Sequence, residues 1–378
     1  MDYSRLDPLI SISGEKITTV KEWETLRREE IMVLLSNFIY GVRPMERPAD
    51  QTFTVDNITE GYMGFPIVKK DITISFNGFS MQFFLFIPQD KYKKKSVGCF
   101  LHILNESSML LHDPVNHPDC SFLPIVEINR RGYACAVLPT YNVAPDCGDR
   151  ANCKKGVFRA IQPDISTRDQ RSWSIISGWA YGASRVIDYF ETDRDIKHFL
   201  VCVVGHSRAG KTALWAAATD TRFAMAISND SGCTGAAYTR GKGGEQIKDI
   251  NATSWFCGNY NKYNDNEQWL PCDQHLLLAA IAPRPLYVKS NVADSWADPD
   301  AELKSCVLAS PVYELYGLPG LVMEDEELEI NKPYHKGTIA YHRAPGGHDL
   351  NADDWSKYLD FVDKYWGPKG RWSPHTYL

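Results

Sequence analysis

Gly205-His206-Ser207-Arg208-Ala209-Gly210-Lys211-Thr212 decides the fold of this chain. An apolar run over 199–204 leads into it, and a helical pattern over 213–218 leaves it. A serine at a sharp turn between strand and helix is a nucleophile elbow, which exposes a hydroxyl at the top of an α/β-hydrolase sheet. The same eight residues also satisfy G-x-x-x-x-G-K-[ST], the pattern of a phosphate-binding loop. A phosphate loop needs Lys211 on the phosphate, the Thr212 hydroxyl on magnesium and an acid after a second strand. The run 224–227 followed by Asp230 could serve as that strand and acid. An elbow needs a downstream acid and then a histidine. Ser207, then Asp230 or Asp294, then His348 supplies that order. His348 sits in Pro345-Gly346-Gly347-His348-Asp349, a glycine-rich loop after a predicted strand over 338–342. Phosphate loops often follow a domain's first strand, whereas at least three predicted strands precede residue 199. The pattern therefore favours the esterase over the nucleotide hydrolase, with both still open at this point.

Composition narrows the field. The chain has 378 residues, 44% apolar and 23% charged, which is ordinary for a globular protein with a continuous core. A net charge of −6 argues against nucleic acid as a partner, since neutralising phosphates takes a basic face. The basic run 91–95 reads as a solvated turn between two strands. No apolar segment is long enough to span a bilayer, and the longest, 276–282, suits a buried helix. Met1 to Pro8 lacks the charged and apolar regions of a signal peptide, so a cytoplasmic location is expected, or secretion if a leader has been removed. None of the ten cysteines forms a CxxC pair, so no metal site is expected. Cys99, Cys135 and Cys202 read as small core residues. Cys147 and Cys153 flank a polar loop and can pair under oxidising conditions or stay as free thiols.

Periodicity supplies the frame. The stretch 23–40 has helical spacing of Leu26, Ile31, Leu34 and Phe38, stopped by Gly41 and Pro44. Alternation over 71–76 and 81–87 predicts paired strands around Asn77-Gly78. Continuous apolar runs at 97–103, 134–138 and 199–204 predict strands buried on both faces. Further strands are expected at 224–228 and 285–290, an amphipathic helix over 173–190 and a closing helix over 355–365. Strands alternating with helices predict an α/β fold with a mostly parallel central sheet in a three-layer αβα sandwich. No repeat or low-complexity linker divides the chain. It is expected to be one domain, with a helical and strand extension over about residues 1–95.

At this point the chain resembles the bacterial glucuronoyl esterases, carbohydrate esterase family fifteen, and the resemblance covers nearly all of it. Trp23 with Arg27-Arg28-Glu29-Glu30-Ile31 and Tyr40-Gly41-Val42-Arg43-Pro44 look like the family's opening helix and tyrosine-glycine turn. Trp179-Ala180, Ser184-Arg185 and Asp188-Tyr189 resemble the helix before the elbow. Gly205 to Lys211 resembles the nucleophile motif. Asp273-Gln274-His275, Ile281-Ala282-Pro283-Arg284-Pro285 and Asp294-Ser295-Trp296-Ala297-Asp298-Pro299 resemble its later blocks. Several blocks in the family's order decide the contest against the phosphate loop.

The resemblance implies a serine esterase acting on the ester between a glucuronic acid branch of xylan and an alcohol of lignin. The implied cleavage uses neither metal nor organic cofactor. It implies Ser207 as nucleophile, His348 as base and Arg208 as an oxyanion stabiliser. It implies Lys211, Glu245 and Trp296 as the residues holding the uronic acid. Where the family commonly has glutamate this chain has Asp230, and Asp294 follows the strand after which α/β-hydrolases most often place the acid. Asp294 is therefore expected to orient His348, with Asp230 as a secondary electrostatic partner. The loop Leu104-Asn105-Glu106-Ser107-Ser108 is less glycine-rich than in relatives, and in this fold it often supplies an oxyanion-hole amide. An acetyl xylan esterase or a methyl-uronate esterase on the same triad is the nearest alternative, since fold does not fix substrate. A sugar-binding protein with an inactive elbow is another.

Overall fold

The computed structural model describes residues 6–146, 154–251, 253–325 and 327–367. Cys147 and Cys153 lie outside them. Nine strands form one sheet: β1 (Thr52–Glu60), β2 (Ile67–Phe76), β3 (Phe79–Pro88), β4 (Val97–Leu104), β5 (Ala134–Pro139), β6 (Ile196–His206), β7 (Met225–Asn229), β8 (Leu286–Asn291) and β9 (Ile339–Ala344). Their order is β1-β2-β3-β5-β4-β6-β7-β8-β9. The first three are antiparallel, and β3 meets β5 antiparallel; from β5 to β9 every neighbouring pair is parallel. The mostly parallel sheet read from the sequence is thus present, with an antiparallel edge made by residues 52–88.

Local chemistry explains the elements. β2 and β3 are joined by Asn77-Gly78, both with positive φ (47° and 71°), the combination a two-residue hairpin turn of the right twist requires. β4 and β5 are buried along their whole length, which explains why they read as unbroken apolar runs; β6 is at least partly exposed over Lys197 to Phe199 and buried beyond. β1 went unrecognised because its side chains are mostly exposed and its short alternation, Phe53 and Val55, is broken by a register shift before Ile58. Helical backbone runs over 20–40 and stops at Gly41, as its spacing predicted.

Two apolar cores lie on the two faces of the sheet. One joins Trp23, Ile31, Trp179, Ile187, Leu214, Trp215 and Tyr313 to inward residues of β2–β4, β6 and β8. The other joins Phe100, Phe122, Tyr287, Trp355, Leu359 and Phe361. Cys99, Cys135 and Cys202 are buried free thiols within these layers. The helix Ile175–Phe190 departs from expectation. All sixteen of its residues are buried, so it is not amphipathic in the solvent-facing sense. Its polar residues are satisfied internally: Ser177 Oγ donates to Tyr40 O (2.8 Å), and Asp188 accepts from Arg47 (2.9 Å) and Arg222 (2.7 Å). The charged groups that looked outward are spent on the segment that crosses over the helix.

Between β6 and the helix Arg208–Thr219 the chain turns at Ser207, which takes φ 59° and ψ −128°. That conformation is strained for a residue with a Cβ and persists only when its surroundings dictate it. The Ser207 N–H donates to Asn229 O (2.9 Å), continuing the β6–β7 ladder, while Ser207 O accepts from Gly210 N (2.8 Å) and starts the helix. The turn is so tight that a Cβ on Gly205 would collide with the Ala209 carbonyl. We expect Gly205→Ala to destabilise the protein by about 1–3 kcal/mol through backbone displacement. Urea unfolding checks this; an unchanged midpoint and slope would mean that the elbow tolerates a wider turn.

Candidate active site

Parallel order places the functional side chains together. β6, β7, β8 and β9 are consecutive neighbours, and each is followed at its C-terminal end by one of the residues singled out above: Ser207, Asp230, Asp294 and His348. Ligand and catalytic sites of open α/β sheets form outside the carboxyl ends of the strands, and this one follows the rule.

His348 Nδ1 lies 2.6 Å from Asp294 Oδ2. Asp294 is buried, and its Oδ1 accepts from Ala297 N (3.1 Å), so its carboxylate is fixed from both sides. This contact settles which acid touches the imidazole: Asp294 does. Asp230 approaches differently. One of its oxygens accepts from the backbone N–H of Asn291 (2.8 Å); the other accepts from the Asn291 amide and lies 3.3 Å from Lys289 Nζ. Asp230, Asp294 and His348 each place an atom within 4.8 Å of the others. These three are spaced like metal ligands, yet Asp294 and His348 are spent on each other, and Asp230 already faces the Lys289 ammonium. The arrangement is a hydrogen-bonded Asp294–His348 pair with the Asp230 carboxylate beside it.

Titration follows from these contacts. Burial disfavours the His348 imidazolium, but the Asp294 hydrogen bond and the charges of Asp230 and Asp294 outweigh it and raise its pKa above the ordinary 6.5. Burial likewise works to raise Asp294, and the His348 hydrogen bond and the Ala297 N–H overcome it and lower its pKa. Burial lifts Asp230 above the ordinary carboxylate range, against the pull of Lys289 and His348. Beneath His348, the His206 ring lies 4.4 Å away, centroid to centroid. Burial, then the charge of His348, drives His206 far below its ordinary value and keeps it neutral. Its Nδ1 meets Asn229 Oδ1 at 2.6 Å. The Asn229 amide donates to Tyr358 Oη (2.9 Å), so Oδ1 is the acceptor and His206 carries its proton on Nδ1.

The other side of the elbow helix carries the remaining predicted residues. Arg208 Nη1 donates to Asp146 Oδ2 (2.6 Å), and the guanidinium lies 4.8 Å from the centre of the Trp255 ring. Trp255 Nε1 donates to the second Asp146 oxygen (2.9 Å). Lys211 is buried; its ammonium donates to the Cys233 carbonyl and to Glu245 Oε2 (3.1 Å). Glu245 N in turn donates to Trp296 O (2.8 Å), so Lys211, Glu245 and Trp296 form one connected wall. Gly244 makes that approach possible, since any Cβ there would enter the backbone of Ser295 and Trp296. The Trp296 ring itself is more than half exposed, free to meet a ligand. Trp179 and Trp215, read as core, are fully buried.

The phosphate-loop geometry is not formed. The helix begins at Arg208, so residues 208–211 form its first turn rather than a loop around a phosphate, and Thr212 Oγ1 is spent on the Arg208 carbonyl (2.9 Å). The loop after β4 is also set: Asn105 caps the helix Glu106–His112 by accepting from Ser108 N (2.9 Å). Asp146, Trp255, Asn229, Lys289 and Asn291 escaped the sequence reading because none belongs to a motif. Each meets the candidate site through a neighbour distant in the chain.

Because Asp294 raises the basicity of His348, the imidazole should titrate above 6.5 in the folded protein and fall in Asp294→Asn. Histidine NMR resonances followed against pH test this. A titration at or below 6.5 in the unaltered protein would contradict the geometry.

With the geometry in place, comparison with known proteins is direct. A family model described as glucuronyl esterase of fungi matches residues 132–317. Carbohydrate esterase MZ0003, from an unknown prokaryotic organism, is 35% identical over 96% of this chain and 90% of its own length. The 4-O-methyl-glucuronoyl methylesterase of Schizophyllum commune is 28% identical over 83% of this chain and 74% of its own. Among solved structures, a glucuronoyl esterase from Solibacter usitatus superposes with a TM-score of 0.86 at 31% identity, covering 96% of this chain and 98% of that one. The chain belongs to the glucuronoyl esterases, carbohydrate esterase family fifteen, and is a carboxylic ester hydrolase of the α/β-hydrolase fold.

Proposed function

We propose that this protein hydrolyses esters of glucuronic acid, 4-O-methylated or not, as in the linkages between glucuronoxylan and lignin, through an acyl-enzyme on Ser207. The observation that carries the reading is the 2.6 Å contact between Asp294 and His348 at the strand ends beside a strained serine. In this reading the Ser207 hydroxyl attacks the ester carbonyl while the free nitrogen of His348 takes its proton. Asp294 holds the opposite N–H, fixing the tautomer and stabilising the imidazolium. The oxyanion accepts from the Arg208 backbone N–H and from its guanidinium, a charged donor held ready by Asp146. The alcohol departs with the proton from His348, and a water molecule then releases glucuronic acid by the reverse sequence.

The wall of Lys211, Glu245 and Trp296 supports a uronate substrate over a simple acetate. An ammonium and a carboxylate side by side can donate to and accept from vicinal sugar hydroxyls, while an exposed indole offers a flat apolar face to the ring. An acetyl xylan esterase has no need of that wall around its acyl group. We read the whole chain as one domain with the N-terminal extension to about residue 95, since a single sheet runs from β1 to β9. Among the described residues no helix is long and apolar enough to cross a membrane.

Ser207→Ala should lower turnover of a benzyl glucuronate ester about a million-fold, and Asp294→Asn up to about ten-thousand-fold by releasing the wrong tautomer. Asp230→Asn should cost much less. Steady-state rates on purified variants decide the matter; if Asp230→Asn proves the more damaging of the two, the acid has been misassigned.

Substrate class has its own test. Lys211→Ala should weaken kcat/KM for glucuronate esters far more than for nitrophenyl acetate, which offers no sugar to hold. Equal losses on both would mean that Lys211 serves the elbow rather than the sugar.

A further inference from the structure

Lys289 is a lysine with no exposed side-chain surface, in the middle of the sheet's parallel half. Burying an ammonium is costly unless several acceptors compensate it. Here three do, and they come from three different segments. Asp230, after β7, lies 3.3 Å from Nζ. Asp354, in the first turn of the last helix, lies 3.5 Å away and is itself bound to His342 Nε2 (2.9 Å). The third is the backbone carbonyl of Asp349, which accepts from Nζ at 2.7 Å. Asp349 is the residue next to His348. Asn291, two positions along β8, reinforces the same pair: its amide donates to Asp230 and, at 3.2 Å, to the Asp349 carbonyl.

The segment held in this way needs an anchor. No heavy atom lies within 4 Å of where a side chain on Gly346 or Gly347 would begin, so these glycines give the loop no packing on that side. The His348 side chain is 45% exposed. Upstream, the Gly346 carbonyl accepts from Ala293 N (2.9 Å); downstream, the Asp349 carbonyl meets Lys289 and Asn291. The backbone that carries the imidazole is therefore held by two clamps, one of them charged, while Asp294 holds the ring itself.

We propose that Lys289 is a positioning residue for the esterase reaction, tying the carboxylate of Asp230 to the backbone that carries His348. It touches neither substrate nor imidazole; it acts by fixing where the imidazole stands relative to Ser207 and Asp294. The inference rests on the triad reading above. It also gives the aspartate at 230 a role: a short carboxylate, engaged by Asn291 and Lys289, joins the ends of β7 and β8 to the histidine loop.

Lys289→Met keeps the length of the side chain and removes the clamp. On a benzyl glucuronate ester kcat should fall about 100-fold, the cost of a misplacement of about 1 Å. KM should change little, because Lys211, Glu245 and Trp296 are untouched. The proton between His348 Nδ1 and Asp294 should give a far-downfield NMR resonance in the unaltered protein, and it should broaden or vanish in Lys289→Met. Unchanged kcat overturns the proposal. So does a lower kcat with the resonance intact, because placement would then not be what was lost.

If the single variant fails to fold because Asp230 is left stranded, Asp230→Asn with Lys289→Met removes both charges and decides the question. It should turn over at least about tenfold more slowly than Asp230→Asn alone, in which the clamp on Asp349 survives; equal rates overturn the proposal. A downfield proton missing from the unaltered protein, or an active Ser207→Ala, would bring down the triad reading first and this inference with it.

Discussion

The parallel register of β6 to β9 is the constraint on which the site depends. His206 pairs with Asn229, Asn229 with Lys289, and Lys289 with His342, so one row of residues crosses four strands just below the carboxyl edge. Every member of that row is polar and buried. A row of this kind is unfavourable unless its members satisfy one another, and they do: His206 with Asn229, Asn229 with Tyr358, Lys289 with Asp230 and Asp354, His342 with Asp354 and Tyr287. The row is a polar floor. Above it stand Ser207 and Asp230, each one residue beyond a row member, and Asp294 and His348, in the loops that follow β8 and β9. A slip of one residue in any of the four strands would turn its floor residue to the other face and misplace the residue above.

Charges in this floor are balanced rather than merely tolerated. Breaking a buried ion pair by removing one partner strands an uncompensated charge, which costs more than never having had the pair. Glu302 illustrates the point. It is fully buried in the helix Pro299–Leu315, and burial and then the charge of Asp230 push its pKa up. It is held by Ser290 Oγ (2.6 Å) and by the Gly232 N–H (2.9 Å). Through those bonds it holds the backbone just after Asp230 and the side chain just before Asn291. Asp230 therefore sits among two acids, one lysine and one histidine, and its charge is shared with the whole cluster. The imidazole hydrogen bond is made by Asp294, and the partners of Asp230 lie directly on β8.

Much of the frame was legible because it is written in local periodicity. The runs within β4, β5 and β6 are apolar on both faces, and the glycine and proline stops fell where elements end. The elbow was legible as a motif, and Asp294 could be preferred over Asp230 from the strand each follows. β1 was hidden by its exposure. The burial of the helix Ile175–Phe190 was hidden as well, because Ser177, Arg185 and Asp188 look like a solvent face until Tyr40, Arg47 and Arg222 arrive from elsewhere. Asp146 and Trp255 stayed invisible for the same reason. They are 109 residues apart and meet over Arg208, and nothing in either neighbourhood marks them. Sequence periodicity reports which face a residue occupies, not which distant side chain will neutralise it.

Arg208 shows what that missing information is worth. A lone guanidinium beside the nucleophile could swing freely and would be a poor oxyanion donor, since catalysis by hydrogen bonding depends on donors fixed before charge develops. Asp146 and the Trp255 face hold it from two directions, one by a charged bond and one by its ring, at distances of 2.6 Å and 4.8 Å. The carboxylate lowers the local positive potential somewhat, yet it leaves the remaining guanidinium donors in a defined plane. His348 is placed by the same logic, between Asp294 at one nitrogen and the Lys289 clamp at its backbone. On both sides of Ser207, then, the groups proposed to meet the developing charges are held by buried or half-buried partners of opposite sign. The strained serine, by contrast, is held by the backbone bonds of the elbow.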